Sequence, residues 1–408
     1  MRKLNAFLKY NPAEPILVGT LVETNEKKFL FEYDSEYLEK GYNISPFKLT
    51  FTSGLQVNKN SYPRESFGVF DDSLPDGWGV LLMDRFFRKT NLNIRDLTII
   101  DRLAYIGNRG MGALAYEPSE DVSCSDVDLL DLYKLSENSM EILQGKFCDV
   151  LPVMALAGGS PGGARPKILA GFDGKTLISG EGELPEGFEH WIIKFRSEHD
   201  LSDAGKIEYV YAQMAKDAGI NISDFHLFED VHGTSCFGTK RFDRIGYTNR
   251  RLHSHTLCNL IHADFRIPSL DYEVLLKVCS RLTGNYSDVK MCFRIMIFNI
   301  IAHNRDDHGK NFSFLMDDTG HWSFAPAYDL MFADGPGCEH SLTIAGEGRN
   351  PTMKDVLKLA KLVDISSEDL YAMVDKVKDS LSKWENLALN LKVCNADIME
   401  IGKSFVNL

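Results

Sequence analysis

Apolar and polar positions alternate over residues 15–32 on either side of a polar turn at 24–27, and a period of two around a turn predicts a β-hairpin. The period changes in SLPDGWGVLLMDRFFRK. Pro75 and Asp76 are helix-start residues, and Leu81, Leu82, Phe86 and Phe87 recur at helical spacing, which predicts a helix within 73–89. A glycine-rich loop and a strand-like run follow over 105–118. The opening 118 residues therefore read as a small α+β unit with its own core. An acidic stretch, 120–133, reads as a linker entering a helix.

The middle of the chain has a different rhythm. GGSPGGARPKILAGF is a glycine-rich loop running into a strand, with a hairpin turn at Asp173 and Gly174. EHWIIKFRS is a further strand, with Trp191, Ile193 and Phe195 on one face and Ile192 and Lys194 on the other. The segment 206–220 reads as an amphipathic helix ending at Gly219, and two more strands flank a His232-Gly233 turn. Beyond Arg244 the pattern is mainly helical. A strand-rich half followed by a helix-rich half is α+β segregation, and it predicts a cleft between two lobes. The expected division is an amino-terminal unit over 1–118, a linker and helix over 119–150, a strand-rich lobe over 151–245 and a helical lobe over 246–408.

Composition narrows the function classes. The chain has 408 residues, 44% hydrophobic and 25% charged, and a formal net charge of −13, which argues against a protein that grips nucleic acid by itself. Eight cysteines without a CxxC pair fit reduced core thiols better than a disulfide framework or a zinc site. The first residues hold no long apolar stretch, and Arg294 and Asn299 interrupt the most hydrophobic run, so neither a signal peptide nor a membrane span is expected.

Directly after the apolar run IMIFNIIA the chain reads HNRDDHGKNFSF, an unusual density of acids, imidazoles and amides. Phosphoryl transfer needs a loop of amides over the phosphates, a cation on their oxygens, oxygen ligands for magnesium and a carboxylate to orient the nucleophile. The glycine-rich GGSPGGARPK supplies the first, since glycine lets backbone approach an anion closely; a plain flexible turn is the other reading. Lys194 in an apolar strand is either paired within the site, with Glu208 as a partner, or an edge lysine reaching for solvent. Asp306 and Asn311 are five apart, the spacing of the base aspartate and the metal-binding asparagine in protein kinases, and His308 and Lys310 lie between them. Asp329 follows eighteen residues after Asn311, as a second magnesium carboxylate or as a capping aspartate.

Taken in order, GGSPGGARPK, WIIKF, TKRFDR, NRDDHGKNFSF and APAYDL resemble the HipA family of serine/threonine kinase toxins of bacterial type II toxin–antitoxin modules, and the resemblance extends to SLPDGWG. It implies a two-lobed, protein-kinase-like fold related to phosphatidylinositol kinases, α+β in class, with an additional amino-terminal α+β subdomain. It implies ATP and Mg2+ as cofactors, a cytoplasmic bacterial setting, and transfer to a serine or threonine of a protein, with growth arrest when the target is a translation factor such as glutamyl-tRNA synthetase. As partners it implies a small HipB-like helix-turn-helix antitoxin and operator DNA, which the acidic chain would reach mainly through that antitoxin.

By position, the resemblance makes Asp306 the catalytic aspartate and Asn311 and Asp329 the magnesium ligands. ATP contacts fall on Gly162, Gly163, Ala164 and Lys167 of the loop, on Lys194, on the hinge residues Lys240, Arg241 and Phe242, and on His308, Lys310 and Tyr328. In the family a glutamate can stand in place of Lys240. Ser160 corresponds to the autophosphorylated serine, and nearly two added negative charges there would oppose the ATP phosphates and favour an ejected loop. The loop departs from one well-known version of the motif, with Pro161 after the serine and GGARPK instead of an AGAQEK-type run. Two other readings stay open: a metal hydrolase built on His303, Asp306, Asp307 and His308, and a catalytically silent kinase-fold subunit of an antitoxin–operator repressor complex.

Overall fold

The computed structural model describes residues 2–58, 66–89, 93–119, 129–146, 154, 162–198, 200–230 and 232–408. The opening unit is a five-stranded sheet in the order β4-β3-β2-β1-β5, formed by β1 (Arg2–Leu8), β2 (Ile16–Glu23), β3 (Phe29–Tyr33), β4 (Gln56–Val57) and β5 (Leu114–Glu117). The hairpin expected over 15–32 is β2 and β3, in register Leu21 to Phe31. Strand β1 was not foreseen. It lies between β2 and β5 and buries Leu4, Ala6 and Leu8, as period-two alternation requires. Its helices are α1 (Ser35–Lys40), α2 (Gly68–Asp71), α3 (Gly77–Lys89) and α4 (Ile99–Ile106), the last fixed by a Thr98–Asp101 capping box.

The strand-rich lobe is a second five-stranded sheet, β7-β6-β8-β10-β9, built from β6 (Lys167–Phe172), β7 (Leu177–Ser179), β8 (Glu189–Lys194), β9 (Phe225–Glu229) and β10 (Ser235–Lys240). Alternation along β8 sends Trp191 and Ile193 into a core shared with Ile168, with Leu132, Leu135 and Ile142 of α5 (Leu132–Leu143), and with Trp78 and Leu82 of α3. Helix α6 (Ala204–Asp217) lies against β9 and β10, and after it Gly219 takes φ +78°, the left-handed exit read from the sequence.

The carboxy-terminal lobe carries β11 (His253–Thr256), α7 (Leu257–Ile261), β12 (Leu270–Asp271), α8 (Tyr272–Thr283), α9 (Tyr286–Ile301), β13 (Ser313–Met316), β14 (Trp322–Phe324), β15 (Leu342–Thr343), α10 (Met353–Leu362), α11 (Ser367–Leu381), α12 (Trp384–Asn390) and α13 (Asn395–Ser404). Helix α9 starts where the Asn285 side chain accepts the Ser287 amide, and it is buried on nearly all sides from Cys292 to Ile301. It delivers the chain directly into the HNRDDHGKN loop. Among the described residues no helix is long and apolar enough to cross a membrane.

The opening unit keeps a small cluster of its own around Met83, Phe87, Tyr105 and Ile106, but its sheet shares its core with the helical lobe. Leu21, Phe31, Phe70 and Tyr116 belong to one continuous cluster with Leu257, Tyr272, Phe293 and Phe314 of the helical lobe. Each such side chain contributes about 1.5–3 kcal/mol on full burial, so a small unit gains by borrowing apolar surface from its neighbour. Polar locks cross the same seam. Asp72 accepts from Thr256 N at 2.8 Å, Asn259 Nδ2 at 2.6 Å and the His255 ring. At Gly68 an added Cβ would lie 1.9 Å from the Asn259 carbonyl oxygen, so only glycine fits.

Candidate active site

Strand β8 is the middle strand of its sheet, which overturns the edge-lysine reading of Lys194. Its ammonium is only 11% exposed and bridges two carboxylates, Glu208 from α6 and Asp329. Burial works against the charge of Lys194, but Asp329 and Glu208 outweigh it and hold the pKa above the ordinary lysine range. Burial likewise opposes ionisation of Asp329, and Lys194, followed by Lys167, keeps its carboxyl well below the usual range. Asp329 reaches this position because Ala327 N donates to Asn221 O at 2.8 Å, pinning the APAYDL segment just beyond α6. Its backbone adopts φ +54°, an uncommon left-handed conformation for a residue with a Cβ.

The loop after α9 separates its two adjacent aspartates. Asp307 turns inward, where it accepts from Tyr272 OH at 2.6 Å, His340 Nδ1 at 2.8 Å and Ser341 N at 2.8 Å. That anchoring leaves Asp306 facing outward, its carboxylate without a hydrogen bond or ion pair among the described residues. Partial burial raises the Asp306 pKa, Asp329 and Asp307 add to the effect, and His308 and Arg165 oppose it. Asn311 donates Nδ2 to the Asp306 carbonyl at 2.7 Å, which fixes the turn and leaves its Oδ1 available. His308 packs edge-on against Phe265 at 5.4 Å, and its buried Nδ1 has no partner among the described residues. Lys310 donates to Asp76 at 2.6 Å.

The hydrolase arrangement is not assembled. His303 faces Asp334 at 3.1 Å and stacks on Phe332, while Asp307 is consumed by Tyr272 and His340. Among the described residues no three acidic, imidazole or thiol groups converge as a metal site.

The glycine-rich loop is described from Gly162 onward, so Ser160, together with Gly158, Gly159 and Pro161, lies outside the described residues. Gly163, at φ +113°, donates its amide to Asp76 and accepts from Trp78 N at 3.2 Å. Lys167 donates to Gly162 O at 2.6 Å, and an added Cβ at Gly163 would lie 2.7 Å from the Lys167 ammonium. Ala164 follows, and Arg165 then bridges to Asp200 at 2.9 Å, with Glu208 at 3.8 Å. Asp76 and Arg165 were not among the residues expected here. In the sequence Asp76 is a helix-start residue, and nothing local joins it to a loop almost ninety residues on, at Gly163.

In the segment expected to form the hinge, the Arg241 side chain is committed within the protein. Its guanidinium pairs with buried Asp243 at 2.9 and 2.7 Å and reaches Gly110 O at 3.3 Å, so any nucleotide contact there is left to the backbone. Lys240 pairs with Glu189 across the β8–β10 ladder. Phe242 lies against Tyr328 with ring centroids 5.4 Å apart, and the Tyr328 hydroxyl is occupied by Ser313 and the Lys310 carbonyl. The Tyr328 hydroxyl is therefore committed within the protein.

The donor set suits a nucleotide and a hard cation. Asn311 Oδ1 and the Asp329 carboxylate are oxygen donors of the kind magnesium takes, and Lys194 and Lys167 stand beside them as anion-binding cations. The glycines of the loop occupy positions that a side chain would obstruct: at Gly162 an added Cβ would approach the Asp76 carboxylate to 2.8 Å.

The chain is similar to known proteins. Residues 159–384 match the HipA-like C-terminal domain model and residues 13–117 match the HipA N-terminal domain model. The chain is 27% identical to the Y4mE protein of Sinorhizobium fredii over 252 residues, 58% of this chain and 57% of that protein. It is 25% identical to the serine/threonine-protein kinase toxin HipA of Shewanella oneidensis over 354 residues, 78% of this chain and 73% of the toxin. The solved complex of Shewanella oneidensis HipA, HipB and operator DNA contains a chain that superposes with a TM-score of 0.70 at 16% identity, covering 98% of this chain and 94% of that one. The fold is the α+β, kinase-like HipA fold, and the chain belongs to the HipA family.

Proposed function

We propose that this protein is an ATP-dependent serine/threonine protein kinase acting as the toxin of a toxin–antitoxin module. The observation that carries the proposal is the buried Lys194, paired with Glu208 and Asp329 beside the outward-facing, uncommitted Asp306. A lysine–glutamate pair between a central strand and the helix that follows it is what an active kinase uses to hold the nucleotide cation in place. Lys194 and Lys167 would bind the phosphates, and the Phe242 and Tyr328 rings flank the hinge side of the pocket. Magnesium, held by Asn311 and Asp329, would supply charge neutralisation to the phosphate oxygens.

In the reaction the hydroxyl oxygen of a protein serine or threonine forms a bond to the γ-phosphorus, the bond to the β–γ bridging oxygen breaks, and ADP departs. Asp306 orients that hydroxyl and receives its proton, and its raised pKa suits a group that must hold a proton briefly. The acceptor we propose is a translation factor, with an aminoacyl-tRNA synthetase as the first candidate. A HipB-like antitoxin would be the partner and would supply most contacts to operator DNA, in keeping with the net charge of −13. The protein would work in the bacterial cytoplasm, and phosphorylation of Ser160 would shut it off by setting new negative charge against the ATP phosphates.

The test is transfer of labelled γ-phosphate from ATP with magnesium. Asp306→Asn should lower transfer by about a hundredfold or more, and Ser160→Ala should remove the self-label while sparing transfer to a substrate in a bacterial lysate. Absence of transfer by protein whose intact mass shows no phosphate would refute the kinase reading.

A further inference from the structure

We propose that Asp76, at the start of α3 in the opening unit, is a positioning residue that latches the glycine-rich loop to the catalytic loop. The inference rests on the reading of this cleft as a nucleotide site. An aspartate at the head of a helix ordinarily caps it by accepting the helix's own first amides. Here the Asp76 backbone carbonyl takes Gly79 N at 2.9 Å, and the carboxylate is used elsewhere. One oxygen accepts the Gly163 amide, and the other accepts the Lys310 ammonium at 2.6 Å. The carboxylate and the ammonium are 6% and 10% exposed, so this is a buried, charge-assisted junction between three separate segments.

Its neighbours grip the same stretch of chain. Trp78 N donates to Gly163 O at 3.2 Å, and the Trp78 indole donates to Lys167 O at 3.1 Å. An added Cβ at Gly77 would lie 2.7 Å from both the Gly163 carbonyl oxygen and the Ala164 Cα. The tripeptide Asp76-Gly77-Trp78 thus follows the loop from Gly162 to Lys167 at contact distance. Burial opposes ionisation of Asp76, and Lys310 together with the Gly163 amide more than offsets it, so the carboxylate stays charged. The opening unit is in this way part of the nucleotide site: it sets the loop in place before a ligand arrives and fixes Lys310 beneath it. Preorganisation of this kind lowers the ordering cost of binding.

The experiment joins two measurements on the full chain, wild type, Asp76→Ala, Asp76→Asn, Lys310→Ala and the Asp76→Ala/Lys310→Ala double variant. Hydrogen exchange of the peptide spanning 162–168 is followed without ligand, and binding of ATP with magnesium is measured by calorimetry. The latch predicts faster exchange in that peptide for Asp76→Ala, with α9 and α11 unchanged. It predicts nucleotide affinity weaker by about tenfold, an intermediate loss for Asp76→Asn, and a double variant losing less than the product of the single losses. Unchanged exchange and affinity in a folded Asp76→Ala, or single losses that simply multiply, would overturn it. If Asp76→Ala unfolds, Asp76→Asn decides on the same two readouts. If the wild type binds no ATP, the nucleotide reading fails by itself and the exchange measurement alone decides whether the latch exists.

Discussion

Replacing Lys194 with methionine removes the ammonium that bridges Glu208 and Asp329, and it leaves the two carboxylates to the weaker influence of Lys167 and, at Glu208, of Arg165 at 3.8 Å. Breaking a buried ion pair from one side typically costs about 3–5 kcal/mol. Asp329 is 34% exposed and Lys167 still acts on it, so the expected cost is smaller, about 2–3 kcal/mol at pH 7.5. With an unfolding entropy of about 2.1 cal/mol/K per residue, that cost lowers the Tm of this 408-residue chain by about 3 °C. The pH dependence separates electrostatics from packing. In the wild type the Asp329 pKa is depressed, so its contribution is complete above the unfolded value of about 3.9 and fades only as pH falls toward the folded value. The Lys194 pKa is raised, so its contribution is complete below the unfolded value of about 10.4 and is lost only as pH rises through the folded one. The pair therefore contributes equally at pH 5 and pH 7.5.

In Lys194→Met, burial of Asp329 is no longer opposed by its strongest nearby charge, its carboxyl titrates upward, and its protonation as the pH is lowered relieves the repulsion. Thermal scans of both proteins at the two pH values should give a Tm gap that narrows clearly at pH 5. A gap of equal size at both values would show that the lysine stem, not its charge, is what the site needs. Phosphate transfer, measured alongside, should be lost at either pH.

Asp307→Ala should be far more damaging to stability than Asp306→Ala. It strands Tyr272, His340 and the Ser341 amide in the interior, at a cost of about 3–5 kcal/mol, whereas Asp306 leaves no such debt; chemical denaturation of the two variants compares them, and equal stability would contradict the division of labour. Gly68→Ala forces a methyl group to within 1.9 Å of the Asn259 carbonyl oxygen. It should loosen the seam between the opening unit and the helical lobe by about 1–3 kcal/mol, visible as faster hydrogen exchange in α2 and α7, and an unperturbed α7 would refute the tight fit.

Periodicity exposed most local elements of this protein. The β2–β3 hairpin, helix α3, strands β6 and β8, helix α6 and its glycine exit all follow from rules that act over a few residues, because side-chain alternation and helix termination are local physics. The order of charged motifs likewise marked Lys194, Asp306, Asn311 and Asp329 for the site, since their residue types are costly in an apolar setting without a partner. Other features depended on pairing over long separations. Strand β1 is stabilised by β5, whose Glu117 faces Asn5 from the far end of the opening unit. Arg241 finds its partners in Asp243 and Gly110, and Asp76 in Gly163 and Lys310. The part played by the adjacent Asp307 was also tertiary: inward contacts to Tyr272 and His340 commit its carboxylate to the scaffold, while Asp306, which the motif spacing had singled out, stays exposed. A sequence determines which groups need partners, through their charge and hydrogen-bonding capacity, while the partner each one finds is set by which distant segments the shared core brings within about 3 Å.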